Sequence, residues 1–181
     1  MITTKKLVYA ALFLASGVLL PQIFHLIGGA SMGATLLPMH IPVIIGGLLL
    51  GPVFGSVFGI FSPLLSFLIT SMPAADRLPF MVIELFVYGL VSGALSKKST
   101  RVFPCLIPAM VLGRAANAIS LAVAFYILDM ENAAPAAAWA AIIKGLPGIV
   151  VQLILIPPVV YALRRYLFEG RNLNGKKDTC R

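Results

Sequence analysis

Glu84, Arg114 and Lys144 are ionisable residues set inside otherwise apolar stretches. At bilayer depth such a charge costs from roughly 3 to well over 10 kcal/mol, so each requires a partner or a ligand. Each has small or polar company at helical spacing: Glu84 with Tyr88 and Ser92, Arg114 with Asn117, Lys144 with Gly148 and Gln152. Stripes of this kind on three facing helices would line a cavity. One reading is purely structural: Glu84 neutralises one cation and the network fixes the bundle. Two cations against one anion still leave surplus positive charge, which in low dielectric opens to water, neutralises or awaits an anion. Arg114 does not readily give up its proton, whereas Lys144 could snorkel to the interface. The favoured chemistry is therefore binding of a small solute bearing a carboxylate or phosphate. The expected substrate-binding residues are Glu84, Tyr88, Arg114, Asn117, Lys144, Gln152 and His40.

Other chemistries find less support. His25 and His40 are too few to ligate a metal without further donors, so no metal site is expected. The sequence has no His-Glu-x-x-His, no Gly-x-Ser-x-Gly and no Gly-rich phosphate loop ending in Lys-Ser/Thr. Ser62 and Ser66 have no base beside them in sequence. No catalytic residue and no cofactor of this chain is expected. The alternatives are an intramembrane enzyme acting on a lipid or peptide, and a stand-alone facilitator. The latter would need a polar path through the inner half, where the first three helices offer few polar groups.

These residues have to be positioned by membrane helices. The chain has 181 residues, 60% hydrophobic and only 11% charged, against about 25% charged in soluble domains. A span takes about 20 apolar residues, and the pattern predicts an all-α, six-transmembrane-helix bundle in one domain over 1–168, with a polar cytoplasmic tail at 169–181. The predicted helices are Leu7–Ile27, Ile41–Leu50, Val53–Ser71, Phe80–Ser96, Val102–Leu128 and Trp139–Tyr166. No small-residue cleavage site follows the first, which suits a retained span better than a signal peptide. The second is too short to cross, so a cavity or the long uncharged loop Gly28–Met39 must fill the outer half beside it. Gly55 and Gly59 form a small-residue face suited to close helix packing, and Ala11 and Ala15 share that spacing. Those alanines serve either internal packing or docking of another membrane subunit.

The basic residues set the orientation. With the N-terminus inside, eleven of the fourteen Lys and Arg fall on the cytoplasmic side, among them Lys5, Lys6, Lys97, Lys98, Arg101, Arg164 and Arg165. Arg77 alone lies outside, near Asp76, Asp129 and Glu131. The basic residues flank apolar segments and form no patch outside the membrane, so nucleic acid is not an expected partner. Cys105 and Cys180 lie on the cytoplasmic side, where a structural disulfide is not expected.

Several segments together resemble a known family. They are the charged N-terminus leading to Ala11-x-x-x-Ala15, the long outer loop, and the run from Met39 through Gly46-Gly-Leu-Leu-Leu-Gly-Pro-Val-Phe-Gly55. Ser62-Pro-Leu-Leu-Ser66, Glu84 to Gly93, and Gly113-Arg114-Ala-Ala-Asn117 complete the set. From Lys5 to about Arg165 the chain resembles the substrate-binding S component of energy-coupling factor (ECF) transporters, the vitamin-uptake ABC importers of prokaryotes. The resemblance implies a multi-pass protein of the prokaryotic plasma membrane that holds a micronutrient in an outer-half pocket capped by the first loop. It implies docking through Ala11 and Ala15 onto a membrane T subunit joined to two cytoplasmic ATPases. ATP would be used by those partners, and toppling of the S component would carry the substrate inward. Pantothenate is the nearest substrate at family level, ahead of folate, niacin or lipoate. Trp139 is the single tryptophan, too few for extensive indole stacking on a flavin or pterin.

Overall fold

In a bilayer the backbone finds no water, so apolar segments must satisfy their own N–H and C=O groups as helices. The computed structural model describes residues 4–99, 101–128 and 135–166. Their regular structure is helical: α1 (Thr4–Leu36), α2 (His40–Leu50), α3 (Pro52–Thr70), α4 (Leu78–Ser96), α5 (Phe103–Leu128) and α6 (Pro135–Arg164). Five contain stretches long and apolar enough to cross a membrane. α2, with 11 residues, rises about 16 Å at 1.5 Å per residue. The tail at 169–181 and the acidic positions Asp129 and Glu131 lie outside the described residues.

The expected loop Gly28–Met39 is the main departure. Helical backbone runs on to Leu36, interrupted only at Gly29 (φ 67°, ψ −172°). Glycine takes that conformation without a Cβ penalty, so the pair Gly28-Gly29 breaks the helix. The alanines, methionine and leucine beyond it are good helix formers, and a helix keeps their backbone satisfied where an open loop would not. The segment ends at Leu37, a non-glycine residue at φ 51°, and Pro38 turns the chain into α2.

Glycine sets how closely the central helices approach. A Cβ on Gly47 or Gly55 would strike the Gly89 backbone, one on Gly59 the Leu85 backbone, and one on Gly93 the Pro52 backbone. The small-residue pattern of α2 and α3 therefore serves internal packing, bringing α2, α3 and α4 into backbone contact. Val43, Ile44, Phe58, Leu85, Leu106 and Ile156 are fully or almost fully buried around this centre. α5 follows, with Gly113 under the Tyr88 ring, and Gly148 of α6 packs on the backbone of Thr35 and Leu36. The segment after Gly29 thus occupies the place beside α2 that the short second helix leaves unfilled.

Pairings along the helices fix their sense. α3 and α4 are antiparallel (Gly55 with Gly89, Gly59 with Leu85), as are α4 and α5 (Tyr88 with Gly113, Glu84 with Asn117). α1 and α3 are parallel, with Gly17 at Ser62 and Gln22 at Thr70. Successive helices alternate in direction, so Lys5, Lys6, Lys97, Lys98, Arg101 and Arg164 collect at one end and Asp76 and Arg77 at the other.

Candidate functional site

The buried charges meet where α2 begins. α4 carries Glu84 and Tyr88 one turn apart, both buried, and α2 presents its first residue, His40, to them. Arg114 and Asn117 share a face of α5. Glu84 is the hub. Its Oε1 lies 3.0 Å from Arg114 Nη1 and 3.4 Å from His40 Nε2, while Oε2 accepts a hydrogen bond from Asn117 Nδ2 at 2.9 Å. The His40 ring stands edge-on to Tyr88, centroids 5.1 Å apart, and the Tyr88 hydroxyl interacts with both Glu84 and Arg114. Five of the seven expected residues therefore form one cluster: Glu84, Tyr88, Arg114, Asn117 and His40.

The cluster is paired in charge but incomplete in hydrogen bonds. Glu84 Oε1 has no directed hydrogen bond from Arg114 or His40, although both lie close to it. Arg114 Nε and Nη2 and both His40 ring nitrogens are buried and have no hydrogen-bond partner among the described residues. Such atoms are uncommon and costly, about 1–3 kcal/mol each, more when charged. Nε and Nη2 form the lateral edge of the guanidinium, one of the two edges that grip a carboxylate with parallel N–H···O bonds. Arg114 thus turns one nitrogen to Glu84 and keeps a bidentate edge unspent. Gly145 of α6 faces that edge: a Cβ there would sit 3.0 Å from Nη2 and 3.0 Å from Leu37 Cδ1.

Gln152 joins through the turn before α2. It is buried, and its Nε2 donates to the Leu37 carbonyl at a long 3.5 Å. Its Oε1 has no partner among the described residues. Lys144 does not join. It is exposed near the start of the apolar part of α6, so the expected surplus of buried positive charge is not formed. A long flexible stem near a helix end reaches the interface at little cost, whereas Arg114 at mid-helix cannot. His25 stays apart too, with Nδ1 3.3 Å from the Gly29 carbonyl oxygen across the α1 break.

One polar group escaped the sequence reading. Gln22 of α1 donates from Nε2 to Ser66 Oγ (3.3 Å) and Thr70 Oγ1 (3.0 Å) of α3. The signal was there in Ser62, Ser66 and Thr70, spaced by four on one helical face. Neither serine has an activating base: Ser66 accepts from Gln22, and buried Ser62 Oγ is unpaired among the described residues. No group of three His, Cys, Asp or Glu is placed to hold a metal among the described residues.

Comparison with known proteins covers this whole arrangement. The family model described as ECF transporter, substrate-specific component, matches residues 5–160, which reach into all six helices and include the Glu84 cluster. No curated protein and no solved structure matches the chain.

Proposed function

Because the chain belongs to the substrate-specific component family of ECF transporters, we propose that the Glu84–Arg114 cluster is its solute site and that the solute is a small acid. Members of this family are substrate-binding subunits of transporters, which agrees with the apolar helices and with serines that lack a base. One observation carries the reading: the lateral edge of the Arg114 guanidinium, whose Nε and Nη2 are buried and unengaged among the described residues. A ligand carboxylate placed there would satisfy two donors at once. Glu84 then holds Arg114 from the other side, Asn117 fixes Glu84, and Tyr88 and His40 supply a flat wall. Of the vitamin acids, pantothenate is the first candidate.

The rest of the machinery follows from the family and remains part of the proposal. The basic end of the bundle faces the cytoplasm of a prokaryotic cell, where two ATPases joined to a membrane T subunit supply the energy. Ala11 and Ala15 form the docking pair on α1. Lys144, exposed at the outer end of α6, would meet the anion at the rim.

Mass spectrometry of small molecules that co-purify with the protein identifies the solute, and titration of variants against it tests the site. Loss of a charged bidentate partner is worth about 1.5–3 kcal/mol, so Arg114→Ala is expected to weaken binding at least tenfold and Lys144→Ala much less. Undiminished affinity in Arg114→Ala would overturn the acidic-solute reading.

A further inference from the structure

Arg114 is not the only buried group here with an unspent bond. Gln152 is 1% exposed, and its amide orientation is fixed by its neighbour. The Leu37 carbonyl can only accept, so the atom 3.5 Å from it must be Nε2. That turns Oε1 away from Leu37, and this oxygen is buried without a partner among the described residues. Leu37 also connects the two unspent groups. Its Cδ1 and Arg114 Nη2 both face Gly145, each 3.0 Å from where a Cβ would stand, while its carbonyl holds Gln152. One turn residue, itself at positive φ, thus brings an unused bidentate donor edge and an unused acceptor to the same part of the bundle.

We infer that the site reads its ligand at two points: a carboxylate at the Arg114 edge and an N–H or O–H donor at Gln152 Oε1. This rests on the acidic-solute reading above and narrows it. A site built to hydrogen-bond a donor rejects an analogue that lacks one, because the buried acceptor is then left unpaired. The substrate class is therefore an acid that also carries a hydroxyl, amide or ureido hydrogen. An acid whose remaining body is apolar, or offers only acceptors, is excluded.

The test uses the full chain in lipid nanodiscs, freed of co-purified ligand, with four acids as probes. Pantothenate and biotin carry donors; lipoate and nicotinate carry none besides the carboxyl. The donor-bearing acid that binds best is expected to bind at least tenfold more tightly than lipoate. Gln152→Met, which removes the acceptor while keeping much of the packing, should shrink that ratio to within threefold. Gln152→Glu loses the donor to Leu37 but keeps an acceptor oxygen. It should weaken every acid yet preserve the ratio, which separates ligand reading from the structural bond to Leu37. Lipoate binding as tightly as the donor-bearing acids, or a ratio that survives Gln152→Met, would sink the two-point inference and leave the acidic site standing, provided Arg114→Ala still weakens binding at least tenfold. Binding of none of the four acids would remove the acidic reading and this inference with it.

Discussion

At the scale of the residue, Glu84 is held to Arg114 by charge, to Asn117 by a directed bond, and to His40 by proximity. Breaking a buried pair by removing one partner leaves an uncompensated charge and costs about 3–5 kcal/mol. Glu84→Ala is therefore expected to lower thermal stability strongly, because Arg114 cannot neutralise itself. Arg114→Leu should cost less, since a leucine fits the apolar surroundings and the obligatory charge is the one removed. The double variant Glu84→Ala/Arg114→Leu should be more stable than Glu84→Ala alone; purely additive losses in a thermal-unfolding cycle would count against the pairing. These two residues were legible in the sequence because a charge in an apolar run is too costly to stand without a partner. His40 was legible only as a histidine near the outer end, and nothing in its spacing showed that it meets Glu84. Gln22 was passed over for the opposite reason: an uncharged amide in a span is cheap enough not to stand out. Lys144 stayed open in the sequence because depth along a helix does not show which way a long side chain turns.

At the scale of the element, the helices divide by what glycine does in them. Gly89 sits against the Gly55 backbone with no room for a Cβ, whereas Gly29 has open space around it and needs glycine only for its positive φ. Gly89→Ala must push α3 from α4, an overpacking cost of about 1–3 kcal/mol or more because backbone cannot swing aside as a side chain can. Gly29→Ala meets no clash and only the conformational penalty of its φ 67°, ψ −172° backbone, on the order of 1–3 kcal/mol, which a local shift at an open site can partly relieve. The measurement is thermal unfolding in detergent, and a larger loss for Gly29→Ala than for Gly89→Ala would refute this division. The Gly55–Gly59 face was readable because spacing by four on a helix needs no tertiary knowledge. The helix after Gly29 was not. Its glycines and lack of charge read as loop, and only packing on Gly148 of α6 shows why ordered backbone pays there. The short α2 did carry a clue, since 11 residues leave depth for another element to fill.

At the scale of the whole molecule, α1 has two unlike faces. Ala10, Gly17 and Val18 are buried toward the bundle, and Gly17 touches Ser62 of α3. Leu7, Leu12 and Leu19 are about 60% exposed, with Ala11 and Ala15 exposed among them. Apolar exposure alone does not separate a lipid-facing surface from a docking surface, because lipid tails are as apolar as leucine. What separates them is size: small residues let another backbone approach, and lipid gains nothing from them. Bulk added at Ala11 and Ala15 should therefore block assembly with a T subunit without reaching the Glu84 cluster, whose contacts are made by α2, α4 and α5. The double variant Ala11→Trp/Ala15→Trp, co-expressed with a T subunit and its ATPase pair, is expected to reduce recovered complex at least tenfold. Ligand affinity of the isolated variant should stay within twofold of the parent. Ile107→Trp, also exposed but on α5, provides the control and should assemble normally. Equal loss of complex in both variants would point to a general effect of bulk in the membrane, and full assembly of the α1 variant would remove that face as the docking surface. Only the pairing of lost assembly with retained binding assigns α1 to the partner and the cluster to the solute.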